Sequence, residues 1–372
     1  MATIEPYNTK TGRRYMVRYR KPDRTPTKKR GFRTKRDAQD FANTVEVQKM
    51  TGDYVAPSLG RITIAELAPA WLARKEVDVA ASNYRMLESA WRVHVEPRWG
   101  TTRIADIDLN EAEEWIAAMG RPLLDPNDPE KVLKPGSGAT TVIRAYGVLA
   151  GILDNAVKAK RLRANPVRGV ENLPKKVRKR HVYLNADDVA RLATEAGKHR
   201  DLVLVLAYCG LRWGEAVALR VHDIDFLRAR LTVADNAVQL GVDHVEGPTK
   251  GKKVRAVPVP RFVLDVLAAR CKGKSRDGLV FGEGGKFLPR PKSKGGWFIG
   301  AVKRAEVQQI TPHDLRHTCA SLAVSAGVNV LALARMLGHT DPSITLRVYA
   351  DLFDDDLDRA AAAMHEAYSL AA

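Results

Sequence analysis

Apolar and basic residues alternate from Arg14 to Arg20, which puts Tyr15, Val17 and Tyr19 on one face of a strand and most of the charge on the other. KPDRTPTKKRGF follows, its Pro and Asp marking a turn, and TKRDAQDFANTVEVQKM then reads as a helix capped by Thr34. GDYVAPSLG is rich in Gly and Pro and reads as a linker. Beyond it the spacing becomes helical. ITIAELAPAWLARK is amphipathic, and ASNYRMLESAWRVHVEPRWG adds a helix predicted to end before Pro97. Asp108 caps LNEAEEWIAAM, and a further helix runs from Thr140 to Lys158 after the Pro- and Gly-rich interval PNDPEKVLKPGSG. Trp71, Trp91 and Trp115 fall on these helices and are expected in their core.

The pattern changes again after the basic run Lys175 to Arg180, KKVRKR, which reads as a linker able to follow a phosphate backbone. YLNADDVARLATEA is a capped helix, and DLVLVLAYCGLRWGEAVAL packs an apolar helix against a turn carrying Arg212. RLTVADN and KKVRAVPVP are short β-like runs with PTKG between them, and Arg261 to Arg270 is helical. SLAVSA and VLALARML are apolar at helical spacing, and an acidic run, DLFDDDLD, precedes the helix-forming RAAAAMHEAYSLAA. The expected architecture is multidomain. A small β-sheet plus helix covers 1–60, an all-α domain covers 61–173, and a mainly α (α+β) domain with a C-terminal tail covers 174–372.

Composition narrows the partners. Lys and Arg total 61 against 43 Asp and Glu, a net charge of +18, in a chain too hydrophobic (45%) to be a disordered basic tail. A folded protein of this charge favours a polyanion, with DNA or RNA ahead of a membrane surface. Residues 1–60 alone hold 14 Lys or Arg against 6 Asp or Glu, and interleaved aromatics make this small sheet a candidate DNA-binding module. No signal-peptide pattern opens the chain, and no run approaches the roughly 18 to 20 apolar residues that span a bilayer. Three scattered cysteines, Cys209, Cys271 and Cys319, indicate neither a disulfide framework nor a zinc finger. A cytoplasmic, reducing setting and no membrane partner are expected.

The candidate chemistry concentrates in TPHDLRHTCASLAVSAGVNVLALARMLGHTDPSITLRVY, Thr311 to Tyr349. His313 and Arg316 are three residues apart and share a helix face, and His317, His339 and Tyr349 complete the set. Arg offers a fork of donors to phosphate oxygens, imidazole donates to oxygen or passes a proton, and a phenol can attack phosphorus. Upstream, the Gly210 turn suggests a helix N-terminus at which main-chain N–H groups and the Arg212 guanidinium meet one anion. Glu215 is then either an orienting partner of Arg212 or an ordinary surface salt bridge. Lys250 sits in a polar turn with Lys252 and Lys253 as local competitors; it is either a solvated lysine or, beside the other residues, a mobile proton donor for a leaving 5′ oxygen. His313, His317 and His339 are also conceivable metal ligands, but no HExxH spacing supports that and Arg316 would repel a cation.

Taken together, these residues resemble the tyrosine recombinase (phage integrase) family, and within it the integrases of actinobacterial phages. The likeness runs over essentially the whole chain. Arg212 and Glu215 in GLRWGE, Lys250 in the hairpin, His313 and Arg316 in HDLRHT, His339 in LGHT and Tyr349 in VYADLF fall on the family's functional positions. Tyr349 follows His339 by ten residues, one more than in many host-type relatives, and Asp351 stands where many relatives carry a histidine.

The resemblance implies an arm-type DNA-binding domain, a core-binding domain and a catalytic domain. Tyr349 would attack phosphorus to leave a 3′-phosphotyrosyl link, with His313 as base or oxyanion ligand beside it. Arg212 and Arg316 would clamp the phosphate, His339 would donate to it, and Lys250 would protonate the leaving 5′ oxygen, with no metal or cofactor. It further implies a homotetramer on double-stranded core and arm attachment sites, exchange through a Holliday junction, and a host DNA-bending protein and phage excision factor as partners. The C-terminal helix would dock on a neighbour or on its own domain. Rival readings are an Xer-type resolvase, which lacks the first 60 residues, a plasmid or integrative-element recombinase, a topoisomerase, an RNA-binding protein and a non-catalytic DNA-binding factor.

Overall fold

Tyr15, Val17 and Tyr19 turn to one side of strand β2 (Gly12–Arg20), as their alternation requires, and that side is covered by a helix. The computed structural model describes residues 2–52, 54–56, 58–177, 181–248, 254–339, 341–349, 364–366 and 368–369, and the chain divides into two units, Met1–Val177 and Arg178–Ala372. In the first unit β1 (Thr3–Thr9), β2 and β3 (Pro26–Phe32) form an antiparallel sheet in that order. Helix α1 (Lys35–Met50) lays Ala38, Ala42 and Val45 on Val17 and Tyr19. Thr34 and Asp37 cap it reciprocally: the Thr34 hydroxyl accepts the Asp37 N–H at 3.1 Å, and the Asp37 carboxylate accepts the Thr34 N–H at 3.3 Å. On the other face Arg18 of β2 lies opposite Lys28 of β3, and Met16 opposite Arg30, so a basic strip crosses the sheet. The GDYVAPSLG segment is tied down at both ends. Tyr54 shares a hydrogen bond with Tyr19 at 3.1 Å, and the Gly60 carbonyl accepts the Ala105 N–H.

The remainder of this unit is built on α2 (Ile64–Asp78), α3 (Ala81–Ala90), α4 (Glu96–Trp99), α5 (Leu109–Gly120) and α6 (Ala139–Lys158). Trp71, Trp91 and Trp115 are buried among them, joined by Trp99, which meets Trp115 edge-on at 5.9 Å. Asp108 caps α5 by accepting the Glu111 N–H at 2.8 Å. The helix expected to stop before Pro97 does not stop there. A π turn over Trp91–Val95, closed by the Glu96 N–H on the Trp91 carbonyl, joins α3 to α4. Pro97 then falls in the first turn of α4, where a ring without an N–H leaves no helix bond unmade. The Pro- and Gly-rich interval also holds more than a loop. It forms a hairpin of β4 (Leu123–Asp125) and β5 (Asp128–Lys134), with Leu123, Leu124, Val132 and Leu133 exposed.

In the second unit α7 (Ala186–Glu195) is capped by Asn185 and Asp188, and the nearly wholly buried α8 (Arg200–Cys209) forms its centre. Short helix α9 (Trp213–Ala218) follows, then β6 (Ile224–Asp225), β7 (Arg230–Val233), β8 (Asp235–Leu240), β9 (Asp243–Pro248) and β10 (Arg255–Pro258). β7 and β10, the two runs read from sequence, pair antiparallel in a sheet of order β10-β7-β6, while β8 and β9 form a separate hairpin. Helices α10 (Arg261–Cys271), α11 (Trp297–Arg304), α12 (Asp314–Ser325), α13 (Val330–Leu337) and α14 (Pro342–Tyr349) complete it. Gly210 ends α8 at φ +64°. A Cβ there would stand 2.8 Å from Leu337 and 3.1 Å from Cys319 Sγ, so this glycine lets α8, α12 and α13 converge. Among the described residues no helix is long and apolar enough to cross a membrane.

Helix α6 packs closely on Trp71 at a glycine. A Cβ on Gly151 of α6 would fall 2.8 Å from Trp71 Cζ2. Gly151→Ala should therefore destabilise the helical core by about 1–3 kcal/mol despite the better helix propensity of alanine. Denaturant unfolding checks it, and an unchanged midpoint would mean that Trp71 has room to retreat.

Candidate active site

Arg212 precedes α9, and Glu215, one turn on, is 2% exposed. The Glu215 carboxylate accepts four hydrogen bonds. Oε1 takes Arg212 Nη1 at 2.8 Å and Arg255 Nη1 at 3.0 Å, and Oε2 takes the Arg212 N–H at 2.9 Å and Arg255 Nη2 at 2.6 Å. Burial pushes the Glu215 pKa up, but the hydrogen bonds and charge of Arg255, then Arg212, outweigh it and hold the carboxyl at about 2. Glu215 is thus no surface salt bridge. Of the expected N–H cradle, the Arg212 N–H is consumed by Glu215, so this residue faces an anion with its part-exposed guanidinium alone.

Arg316, on α12, is 3% exposed, and its terminal nitrogens donate to main-chain carbonyls: Nη1 to Gly210 at 2.7 Å and Nη2 to Leu337. Its charge is met by carbonyl dipoles, and among the described residues no carboxylate is bonded to it. Burial, then Arg212, lowers its pKa to about 10, so it stays cationic at neutral pH. The carbonyl before Leu337, that of Met336, accepts from Arg255 Nε at 3.0 Å. Two arginines thereby hold the C-terminal carbonyls of α13 just before the left-handed Gly338 that leads to His339. His339 Nδ1 shares a 2.7 Å hydrogen bond with the buried Thr345 hydroxyl, which leaves Nε2 as the ring's working nitrogen. Burial, then Arg316, Arg212 and Arg255, pushes the His339 pKa down to about 4, which places this ring among all three guanidinium groups.

Tyr349 closes α14 and is 1% exposed. Sequence reasoning places His313 beside it, but the ring at hydrogen-bond distance is His317, whose Nδ1 lies 2.9 Å from the phenol oxygen. His313 stands one ring further, edge-on to His317 at 5.1 Å, and His181 packs on His317 at 4.0 Å. Burial and then the neighbouring His181 and His313 take His317 down to about 4, and burial, then Arg316, lowers His313 as well. Burial raises Tyr349 above the ordinary phenol range against the pull of Arg316. A cleft of about 1600 Å³ opens beside these rings, lined by His181, Arg290, Lys292, His313, His317 and Arg347 among others. Lys250, with Lys252 and Lys253, lies outside the described residues.

The second unit therefore gathers Arg212, His313, Arg316, His317, His339 and Tyr349 into one electrostatic neighbourhood, and adds Arg255 to them. Arg255 had a signal in sequence: two residues before the buried Val257, it faces the core side of β10 and needs a partner there. Three guanidinium groups around one carboxylate, beside a phenol and neutral imidazoles, can bind a phosphodiester and offer it a tyrosine nucleophile.

Residues 182–355 match the model of the phage integrase family. The chain is 28% identical over 300 residues to the integrase of Mycobacterium phage D29, covering 77% of this chain and 74% of that one. It is 27% identical over 260 residues to a tyrosine recombinase of Thermosipho africanus, covering 68% and 83%. Among solved structures, the Tn1549 transposon integrase in complex with transposon right-end DNA matches with a TM-score of 0.64 at 22% identity, over 81% of this chain and 100% of that one. A lambda integrase tetramer bound to a Holliday junction matches at 0.57 and 16% identity, over 91% and 96%. Residues 182–355 thus carry a phage integrase family domain, and the likeness to tyrosine recombinases and phage integrases extends well beyond that segment.

The depressed histidines predict a pH dependence. His313, His317 and His339 all titrate below the unfolded value of about 6.5, so between that pH and about 4 the unfolded chain binds more protons than the native one. Stability should fall as pH drops from 7 to 4.5. Glu215, depressed to about 2, loses its contribution only below about 4.3 and adds little slope in this window. Thermal melts across the range should show the decline, and His317→Gln should flatten it. Equal slopes for both proteins would mean that this ring is not held neutral.

Proposed function

We propose that this chain is a site-specific integrase of the phage kind, which cuts and rejoins double-stranded DNA at attachment sites through a 3′-phosphotyrosyl link to Tyr349. The observation that carries this reading is the excess of positive charge beside that phenol: Arg212 and Arg255 share one carboxylate, Glu215, and the buried Arg316 is bonded only to main-chain carbonyls. A scissile phosphate would supply the missing negative charge, and the pocket would stabilise it further as charge grows in the transition state. Arg212 and Arg316 bind the non-bridging oxygens, His339 donates through Nε2, and Lys250 protonates the departing 5′ oxygen. His313 is a ligand of the phosphate side, since His317 rather than His313 meets the phenol. The phosphotyrosyl ester keeps the free energy of the broken bond, so a second 5′ hydroxyl can reseal the strand without ATP.

The remaining parts follow the same reading. The basic face of β1–β3 binds arm sites and the tryptophan-cored helical body binds the core site, each built on its own apolar cluster. Four protomers exchange strands in pairs through a Holliday junction in a bacterial cytoplasm, as the likeness to the junction-bound lambda tetramer supports. A host DNA-bending protein and an excision factor would set direction.

Two outcomes test this. A nicked duplex carrying the crossover sequence of the element that encodes the chain should trap a denaturant-resistant adduct with wild type. Tyr349→Phe should bind that duplex and trap none; an undiminished adduct would assign the nucleophile elsewhere. A truncation beginning at Ile62 should still cleave but lose footprints on DNA flanking the core, because linked modules bridge separate sites through effective concentration. If full-length protein protects only the core, the two-site model fails and a simpler plasmid or element recombinase becomes the better description.

A further inference from the structure

The Glu215 carboxylate would be neutralised by Arg212 alone, yet it carries a second arginine. Adding another buried cation incurs a desolvation penalty that a single extra ion pair need not recover. Arg255 differs from an ordinary partner in what else it holds. Its terminal nitrogens take both Glu215 oxygens, at 3.0 and 2.6 Å, while Nε takes the Met336 carbonyl at 3.0 Å, so one planar group spans two elements. Its side chain is 11% exposed. The next turn is shaped to receive it. Gly338 stands at φ +66°, and a Cβ there would lie 2.9 Å from Arg255 Cδ and 3.0 Å from Nε, so only glycine lets the guanidinium lie against this backbone.

We propose that Arg255 is a positioning residue for strand cleavage, locking the carboxylate that orients Arg212 to the Met336–Gly338 turn that presents His339. This rests on Arg212 and His339 being phosphate ligands. Each Glu215 oxygen is shared between Arg212 and Arg255, so a shift of Arg255 moves the carboxylate, and Arg212 follows through both its side chain and its N–H. The same shift releases the Met336 carbonyl and loosens the approach to His339. Arg316 also ties these two sides, from the Gly210 carbonyl to that of Leu337, but it has no bond to Glu215, so among the described residues Arg255 alone bonds both the carboxylate that orients Arg212 and the turn before His339. Lysine cannot replace it, because one ammonium has no fork to span two oxygens and a carbonyl in one plane.

The full-length chain tests this in single-turnover cleavage of the nicked duplex, with either an ordinary phosphate or an uncharged methylphosphonate at the scissile position. Arg255→Gln should cleave the ordinary duplex about 100-fold more slowly, the scale of a misplaced reacting group, while binding it within about threefold of wild type. On the methylphosphonate, where the clamp has less charge to meet, the deficit should shrink at least tenfold. Arg255→Lys should fold and recover only part of the rate, which keeps the test open if the glutamine variant fails to fold. Wild-type rates in Arg255→Gln, or equal slowing on both substrates, would overturn the positioning role. Wild type forming no adduct would instead remove the activity on which the proposal rests.

Discussion

A carboxylate withdrawn from water at 2% exposure must recover its lost hydration from fixed donors, and Glu215 does so with four. That requirement organises the catalytic unit. It draws Arg212 down from the turn after α8, pulls Arg255 inward from β10, and through Arg255 reaches the end of α13. Arg316 completes the arrangement from α12 by bonding to Gly210 and Leu337, the two carbonyls that the left-handed turns of α8 and α13 leave open. Helix C-termini carry partial negative charge, so a buried guanidinium is tolerated there without a carboxylate of its own. The balance remains cationic, and the protein reaches it only by packing three helices and a strand around one acid.

Features that depend on neighbours in sequence were legible before any fold was known. The caps at Thr34, Asp108 and Asn185, the alternation of Tyr15, Val17 and Tyr19, and the burial of Trp71, Trp91 and Trp115 all follow from local spacing. Local rules also misled. Proline stops most helices, but at Pro97 the preceding π turn shifts the bonding register so that no donor is missed. The hairpin β4–β5 was hidden by its own composition, since an exposed ribbon bounded by Pro and Gly has the residue content of a loop.

The site divides in the same way. Arg212, His313, Arg316, His339 and Tyr349 are recognisable from the short motifs around them, and they do converge in space. Their partners are not, because a partner is chosen by tertiary contact. His317 is named with the candidate groups, but its role as the ring against the phenol shows only when Tyr349, 32 residues on, is seen against its Nδ1. Arg255 reads as one more basic residue after a lysine-rich turn until Glu215, 40 residues earlier, is seen between its nitrogens. His181, at the opposite end of the unit in sequence, packs on the same imidazole.

The buried phenol bears on how such a protein searches a genome. A strongly basic chain makes most of its encounters with the wrong sequence, held there by phosphate contacts that ignore the bases. As the proposed nucleophile, Tyr349 at 1% exposure would not touch a backbone during those visits, and the protein would travel along DNA without nicking it. On that proposal, only an encounter that favours exposure of the phenol would convert residence into a cut, and the free energy of that exposure would be added to the barrier everywhere else. Fidelity would then come partly from a population, the small fraction of molecules whose phenol is exposed, and not only from the letters that the DNA-binding surfaces read.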